Sequence, residues 1–127
     1  MPEYVLDASA LIALVNEEPG ANKVRPLMPH SVISAVNLCE TIQRLRRGGI
    51  PLEAVTLALS PLLSPPIPFD GELAYIAASI HEQTRDYGLS FGDCSCLALA
   101  LSLKVPAVTA ERAWDKFDIG VRVIKIR

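Results

Sequence analysis

A chain of 127 residues, with 12 Lys or Arg against 14 Asp or Glu and a net charge of −2, has room for one domain and too little for two ordinary ones. Half of it is apolar and a fifth charged, which excludes a disordered chain. No apolar run reaches the ~18 residues of a membrane span, and the opening Met1-Pro2-Glu3 lacks the basic and apolar regions of a signal peptide, so the expected location is the cytoplasm.

In chain order, residues 3–7 read as a strand through Tyr4, Val5 and Leu6. Residues 8–15 read as a helix that Asn16 to Gly20 stops. A short helix over 21–27 is interrupted by Pro26 and Pro29, and 31–34 is a second strand. Ser34 suits the N-cap of a helix to about Arg47, closed by Gly48-Gly49. Pro51 suits the first turn of a helix to about Leu59. Four prolines in 60–68 predict a loop, with a brief extended piece near 67–69. Leu73, Ile76, Ala77 and Ile80 carry helical spacing in a helix over 71–87, closed by Gly88. Residues 91–104 form a helix with no polar face, hence a buried one. A strand over 106–109, a short helix over 110–116 and a strand over 121–126 complete the chain. Alternating strands and helices predict an α/β fold with a parallel sheet covered on both faces.

Four acids stand beside or inside apolar stretches: Asp7, Glu40, Asp93 and Glu111. An unpaired charge is costly there. Carboxylates brought together repel one another and invite a divalent cation. In an open parallel sheet, ligands bind beyond the carboxyl ends of the strands. Asp7 ends the first strand, Glu111 follows the strand that ends at Thr109, and Asp93 opens a helix; Glu40 lies about two turns into its own. Each has a structural alternative. Asp7 and Asp93 suit plain N-caps, Glu40 a solvent-facing helix position bordering Leu38, Ile42 and Leu45, and Glu111 an ordinary first-turn glutamate. With the four acids set aside, 12 basic residues face 10 acidic ones, a mildly basic surround suited to a polyanion. Arg44, Arg46, Arg47 and Arg112, with Lys23 and Arg25, are candidates for phosphate contact or ordinary solvated helix ends. Cys39, Cys94 and Cys96 read as small buried helix residues rather than a disulfide framework or a zinc site.

Four segments in order carry a resemblance over nearly all of the chain. They are Val5-Leu-Asp-Ala-Ser-Ala-Leu-Ile, Ala35-Val-Asn-Leu-Cys-Glu, Leu89-Ser-Phe-Gly-Asp-Cys and Pro106-Ala-Val-Thr-Ala-Glu-Arg. Together they resemble a PIN-domain ribonuclease, more narrowly the VapC toxins of toxin–antitoxin pairs. The resemblance implies one PIN domain over 1–127, a three-layer α/β/α sandwich around a mostly parallel sheet of four or five strands. It implies RNA phosphodiester cleavage with Mg²⁺ or Mn²⁺ held by Asp7, Glu40, Asp93 and Glu111. Hard carboxylate oxygens suit those ions, which activate water and stabilise the leaving oxygen. Glu111 stands where the family has Asp, a methylene farther out, and Asp115 one turn on is a substitute or a solvated residue. Ser9 and Thr109 are placed to orient site carboxylates. The implied partners are RNA, a VapB-type antitoxin and a second copy in a homodimer, with no membrane.

Two rival readings differ in class. Phosphoryl-transfer folds also set an Asp after the first strand. The dehalogenase pattern wants Asp two residues later, where Ser9 stands, and a receiver domain wants a mid-chain acceptor, where 50–69 holds only Glu53. A non-catalytic PIN module would bind RNA or protein without cutting, and loss of the acids would mark it.

Overall fold

The computed structural model describes residues 1–127. Strands β1 (Tyr4–Leu6), β2 (Ser31–Val32), β3 (Ala107–Thr109) and β4 (Val123–Lys125) lie in the order β2-β1-β3-β4, every pair parallel. Helices α1 (Ala8–Val15), α2 (Ala21–Val24), α3 (Ala35–Leu45), α4 (Leu52–Leu59), α5 (Gly71–Gln83) and α6 (Phe91–Leu103) connect and cover them.

Side chains alternate across a strand, so consecutive strand residues serve opposite cores. Leu6 and Val108 join Leu11, Val24, Ile33 and Ile126 under α1 to α4. Val5 and Ala107 join Leu73, Ile80, Leu97 and Trp114 under α5 and α6. The result is the expected three-layer α/β/α sandwich with a parallel sheet of four strands. In α6 every residue from Cys94 to Ala100 is buried, as its missing polar face predicts.

Several boundaries differ from expectation. β1 is shorter, and Asp7 stands just beyond it, although its N–H still reaches the Val108 carbonyl at 2.9 Å. Only Ala21–Val24 of the second helix is α-helical. Pro26 and Pro29 tighten the rest into the 3₁₀ turn Arg25–His30. The helix expected to reach Tyr87 stops at Gln83, where Thr84 Oγ1 bonds back to the Ile80 carbonyl, and a 3₁₀ turn Arg85–Tyr87 follows. The extended piece near 67–69 is a single bridge between Ile67 and Ser34, not a strand. The short helix near 110–116 narrows to a 3₁₀ turn, Arg112–Asp115. Cys39 corrects the cysteine reading. Cys94 and Cys96 are buried, but Cys39 is exposed on α3, because that helix buries Asn37, Thr41 and Leu45 instead.

The chain leaves β1 for β2 on one side, and β3 for β4 on the other. This reversal opens a crevice beyond the ends of β1 and β3, where doubly wound sheets place their ligands. Asp7, Thr109 and Glu111 all follow those two strand ends.

Candidate active site

Asp7 occupies the N-cap position of α1, yet its side chain caps nothing. Its Oδ2 instead accepts from Ser9 Oγ at 2.6 Å and from Thr109 Oγ1 at 2.9 Å. Each hydroxyl has one proton, and both are spent on Oδ2. The 3.2 Å approach of Ser9 Oγ to Thr109 Oγ1 is therefore contact between acceptors. Those acceptors are used in turn. Ala110 N–H donates to Ser9 Oγ at 2.9 Å, and Glu111 N–H donates to Thr109 Oγ1 at 3.0 Å. The network stitches the end of β3 to the start of α1 and leaves Asp7 Oδ1 without a protein donor.

This carboxylate is 3 % exposed and has no cationic partner. Burial pushes its pKa from 3.8 to about 7, the negative charges of Asp93 and Glu40 push the same way, and the two hydroxyls partly offset them. The Cys96 thiol, fully buried, is pushed well up by burial and then by Asp7, Asp93 and Glu40. Three carboxylates from β1, α3 and α6 thus share one electrostatic neighbourhood. Burial likewise raises the Cys94 thiol, so neither buried cysteine offers a thiolate nucleophile.

Asp93 is placed by a capping box. Ser90 Oγ accepts from Asp93 N–H at 3.1 Å, and Asp93 Oδ2 accepts from Ser90 N–H at 2.9 Å. The N-cap is therefore Ser90, and Asp93 sits in the first turn of α6, where the helix dipole favours its charge.

Glu40 reaches the site through a gap that sequence reading did not see. A Cβ on Gly92 would lie 2.7 Å from Glu40 Oε1, so only glycine lets the carboxylate lie against α6. Asn37, one turn before Glu40 on α3, is fully buried and donates Nδ2–H to the Gly92 carbonyl at 2.9 Å. That bond leaves Asn37 Oδ1 buried without a partner, at a cost of roughly 1–3 kcal/mol. No local pattern signals either residue, because they act across α3 and α6.

Glu111 is joined to the cluster through its backbone only. Its side chain is exposed, and its charge is not among those acting on Asp7. Asp115 is ion-paired with Lys125 of β4, which lowers its pKa. Arg46 and Arg47 form the 3₁₀ turn after α3, Arg44 is half-buried in its last turn, and Arg112 is exposed beside Glu111.

No three of the chain's His, Cys, Asp and Glu side chains stand close enough to grip an ion among them. The donor set nonetheless fits a hard divalent cation: oxygens only, three acids whose charges act on one another, and a free Oδ1 on a buried carboxylate. Mg²⁺ keeps several of its own waters and suits such spacing.

Residues 4–120 match the PIN domain family. No curated protein matches the chain. The fold is similar to that of DNA-bound VapBC from Salmonella typhimurium, at TM-score 0.79 and 19 % identity, with 100 % of each chain covered. It is similar to a toxin–antitoxin complex from Klebsiella pneumoniae, at TM-score 0.74 and 20 % identity over 98 % of each chain. FitAcB from Neisseria gonorrhoeae gives TM-score 0.75 and 19 % identity over 97 % of each. No helix is long and apolar enough to cross a membrane.

Proposed function

The chain belongs to the PIN-domain family, and on that premise we propose that residues 1–127 form one PIN domain acting as a metal-dependent endoribonuclease, the toxin of a VapBC-type toxin–antitoxin pair. The observation that carries this reading is Asp7: a buried carboxylate that caps no helix, pairs with no cation and lies within the field of two more carboxylates, Asp93 and Glu40. A purely structural Asp would not be left so.

In this reading Asp7, Glu40 and Asp93 hold Mg²⁺ or Mn²⁺, with Glu111 a more distant fourth. The cation supplies an activated water and charge stabilisation at the phosphate. The chain's own residues do the rest. Ser9 and Thr109 fix the Asp7 carboxylate through Oδ2 and leave Oδ1 free to bind the cation. The capping box holds Asp93, and Asn37 fixes Gly92 so that Glu40 can approach. Arg44, Arg46, Arg47 and Arg112 provide basic surface for the RNA backbone. Keeping all three clustered acids favours the enzyme over a PIN module that only binds.

The solved neighbours include toxin–antitoxin complexes, and the surface suits such a partner. A hollow of about 340 Å³ between α3 and α4 is lined by Leu38, Ile42, Leu59 and Leu63, while Leu52 and Leu57 stand exposed nearby. The antitoxin's C-terminal segment would lie over the helices of 8–28 and 35–59 and offer an Arg to the carboxylates, since its fork binds them bidentately. The same apolar surface favours a homodimer.

Expressed alone, the chain should arrest growth of its own host, and its small antitoxin should restore it. The purified protein should cut structured RNA with Mg²⁺ or Mn²⁺ and stop in chelator. Full activity in chelator sinks the metal mechanism. Harmless expression of soluble, metal-competent protein sinks the toxin role and leaves the nuclease standing.

Glu111→Ala should weaken Mn²⁺ binding and cleavage by about 10–100-fold, the usual cost of an outlying ligand contact. Glu111→Asp should keep or raise activity. Calorimetric Mn²⁺ titration of both, beside Asp115→Ala, decides the fourth acid. Parent-like Glu111→Ala with inactive Asp115→Ala would move that role to Asp115.

A further inference from the structure

We propose that the Phe91 ring is a stacking platform for an unpaired nucleobase of the RNA, beside the acidic cluster; this rests on the nuclease reading above and deepens it. Phe91 is the first residue of α6, two before Asp93, and is 62 % exposed. The nearest apolar side chains along the chain are not: Leu89 is 9 % and Cys94 2 % exposed. The chain thus buries apolar side chains on both sides of Phe91 and leaves this one in water.

The ring is held rather than loose. Phe69, just after the proline-rich loop, meets it at right angles with centroids 5.4 Å apart. An edge-to-face contact engages at most one face of the Phe91 ring, and the residue stays 62 % exposed. Phe91 lines a hollow of about 540 Å³ together with Glu40, Gln43, Ser90 and Gly92. The platform and the Glu40 carboxylate therefore share one chamber. Ser90 Oγ already accepts from Asp93 N–H, so its proton is free to donate. The Gln43 amide is exposed and bonded to nothing in the protein. An aromatic face with amide and hydroxyl groups beside it is what an unpaired base requires: π-stacking on the ring, hydrogen bonds at the edge.

Charge balance points the same way. At net charge −2, the phosphate contacts proposed for Arg44, Arg46, Arg47 and Arg112 work against the chain's overall charge. Stacking is salt-tolerant and works for any base, so it supplies affinity where electrostatics is weak, while Gln43 supplies selectivity.

The test uses the purified full-length chain in excess chelator, so that binding is read without cleavage. The probe is a short unstructured RNA carrying 2-aminopurine. Phe91→Leu keeps an apolar side chain and removes the π-face, and should weaken binding roughly 5- to 150-fold, the range for one lost stacked base. Phe91→Trp should bind at least as well as wild type, and its indole emission should be quenched on adding RNA. Wild type, whose only indole is Trp114 at 2 % exposure, is the control, and the quenching expected of Phe91→Trp is that beyond the wild-type signal. Wild-type binding by Phe91→Leu overturns the platform, as does an unquenched indole in Phe91→Trp. A changed oligomeric state in Phe91→Leu overturns it in favour of a protein interface. If wild type cleaves RNA with Mn²⁺ yet binds none in chelator, or binds it no better than Phe91→Leu does, the platform falls alone; if wild type neither binds nor cleaves RNA, both readings fall.

Discussion

Asp7→Asn should all but abolish RNA cleavage while making the metal-free protein more stable at pH 8. Both effects come from one carboxylate. Folded Asp7 holds its proton up to about pH 7, whereas an unfolded aspartate releases it near 3.8. Between those values the folded state binds more protons, so stability falls as pH rises. Below the lower value the penalty is absent, and above the upper one it is complete. The shift from 3.8 to about 7 corresponds to a penalty on the order of 4 kcal/mol. Asparagine is neutral and close in shape. Its Oδ1 can take the place of Oδ2 and accept from both Ser9 and Thr109. Thermal unfolding in chelator should therefore show Asp7→Asn above wild type at pH 8 and equal to it near pH 4. At about 3–6 °C per kcal/mol for a domain of this size, the difference is readily measured. Mg²⁺ or Mn²⁺ should reverse the order, because the cation stabilises the ionised form of wild type and has lost a charged ligand in the variant. A variant less stable than wild type in chelator at pH 8 would mean that Asp7 is satisfied by its hydroxyls and is not poised for a cation.

The parts of this arrangement written locally were legible in the sequence. The turn from β1 into α1 was readable because Tyr4, Val5 and Leu6 favour a strand, and Asn16 to Gly20 end the helix at Val15. Ser34 was readable as an N-cap, and its Oγ does accept from Val36 N–H. The buried course of α6 followed from its missing polar face. Strand lengths were overestimated, because a four-stranded sheet pairs only the residues that find a neighbour. Tyr4 pairs with Ser31 and Val5 with Val32, whereas Glu3 pairs with no strand residue. Cys39 was misplaced by residue type. Cysteine is usually buried, but α3 turns Asn37 and Thr41 inward, and Asn37 meets α6 at Gly92. The gap at Gly92 was illegible for the same reason. Gly92 has no positive φ and breaks no helix. Its value lies only in what stands opposite, a residue 52 positions earlier.

That opposite residue makes Gly92→Ala the sharpest test of the site, with an expected loss of about 100-fold in cleavage and no loss of stability. The added Cβ would come within 2.7 Å of Glu40 Oε1 and 3.1 Å of its Cδ. Neither is backbone. Both are the far end of a flexible side chain, so the protein relieves the clash by swinging the Glu40 carboxylate away rather than by shifting α6. Folding then keeps its core, and alanine in the first turn of a helix is favoured over glycine by up to about 1 kcal/mol. The melting temperature should stay level or rise. Catalysis has no such escape, since moving one of three clustered carboxylates by about an ångström disturbs the charge they jointly present. Manganese affinity should fall with activity. In a Glu40→Gln background the same alanine should cost little more, because the group it displaces no longer carries charge. Full cleavage by Gly92→Ala would show that the position of Glu40 against α6 is immaterial, and would remove Glu40 from the site. Additive losses in the double variant would show that the alanine acts elsewhere, through Asp93 or the capping box that holds it.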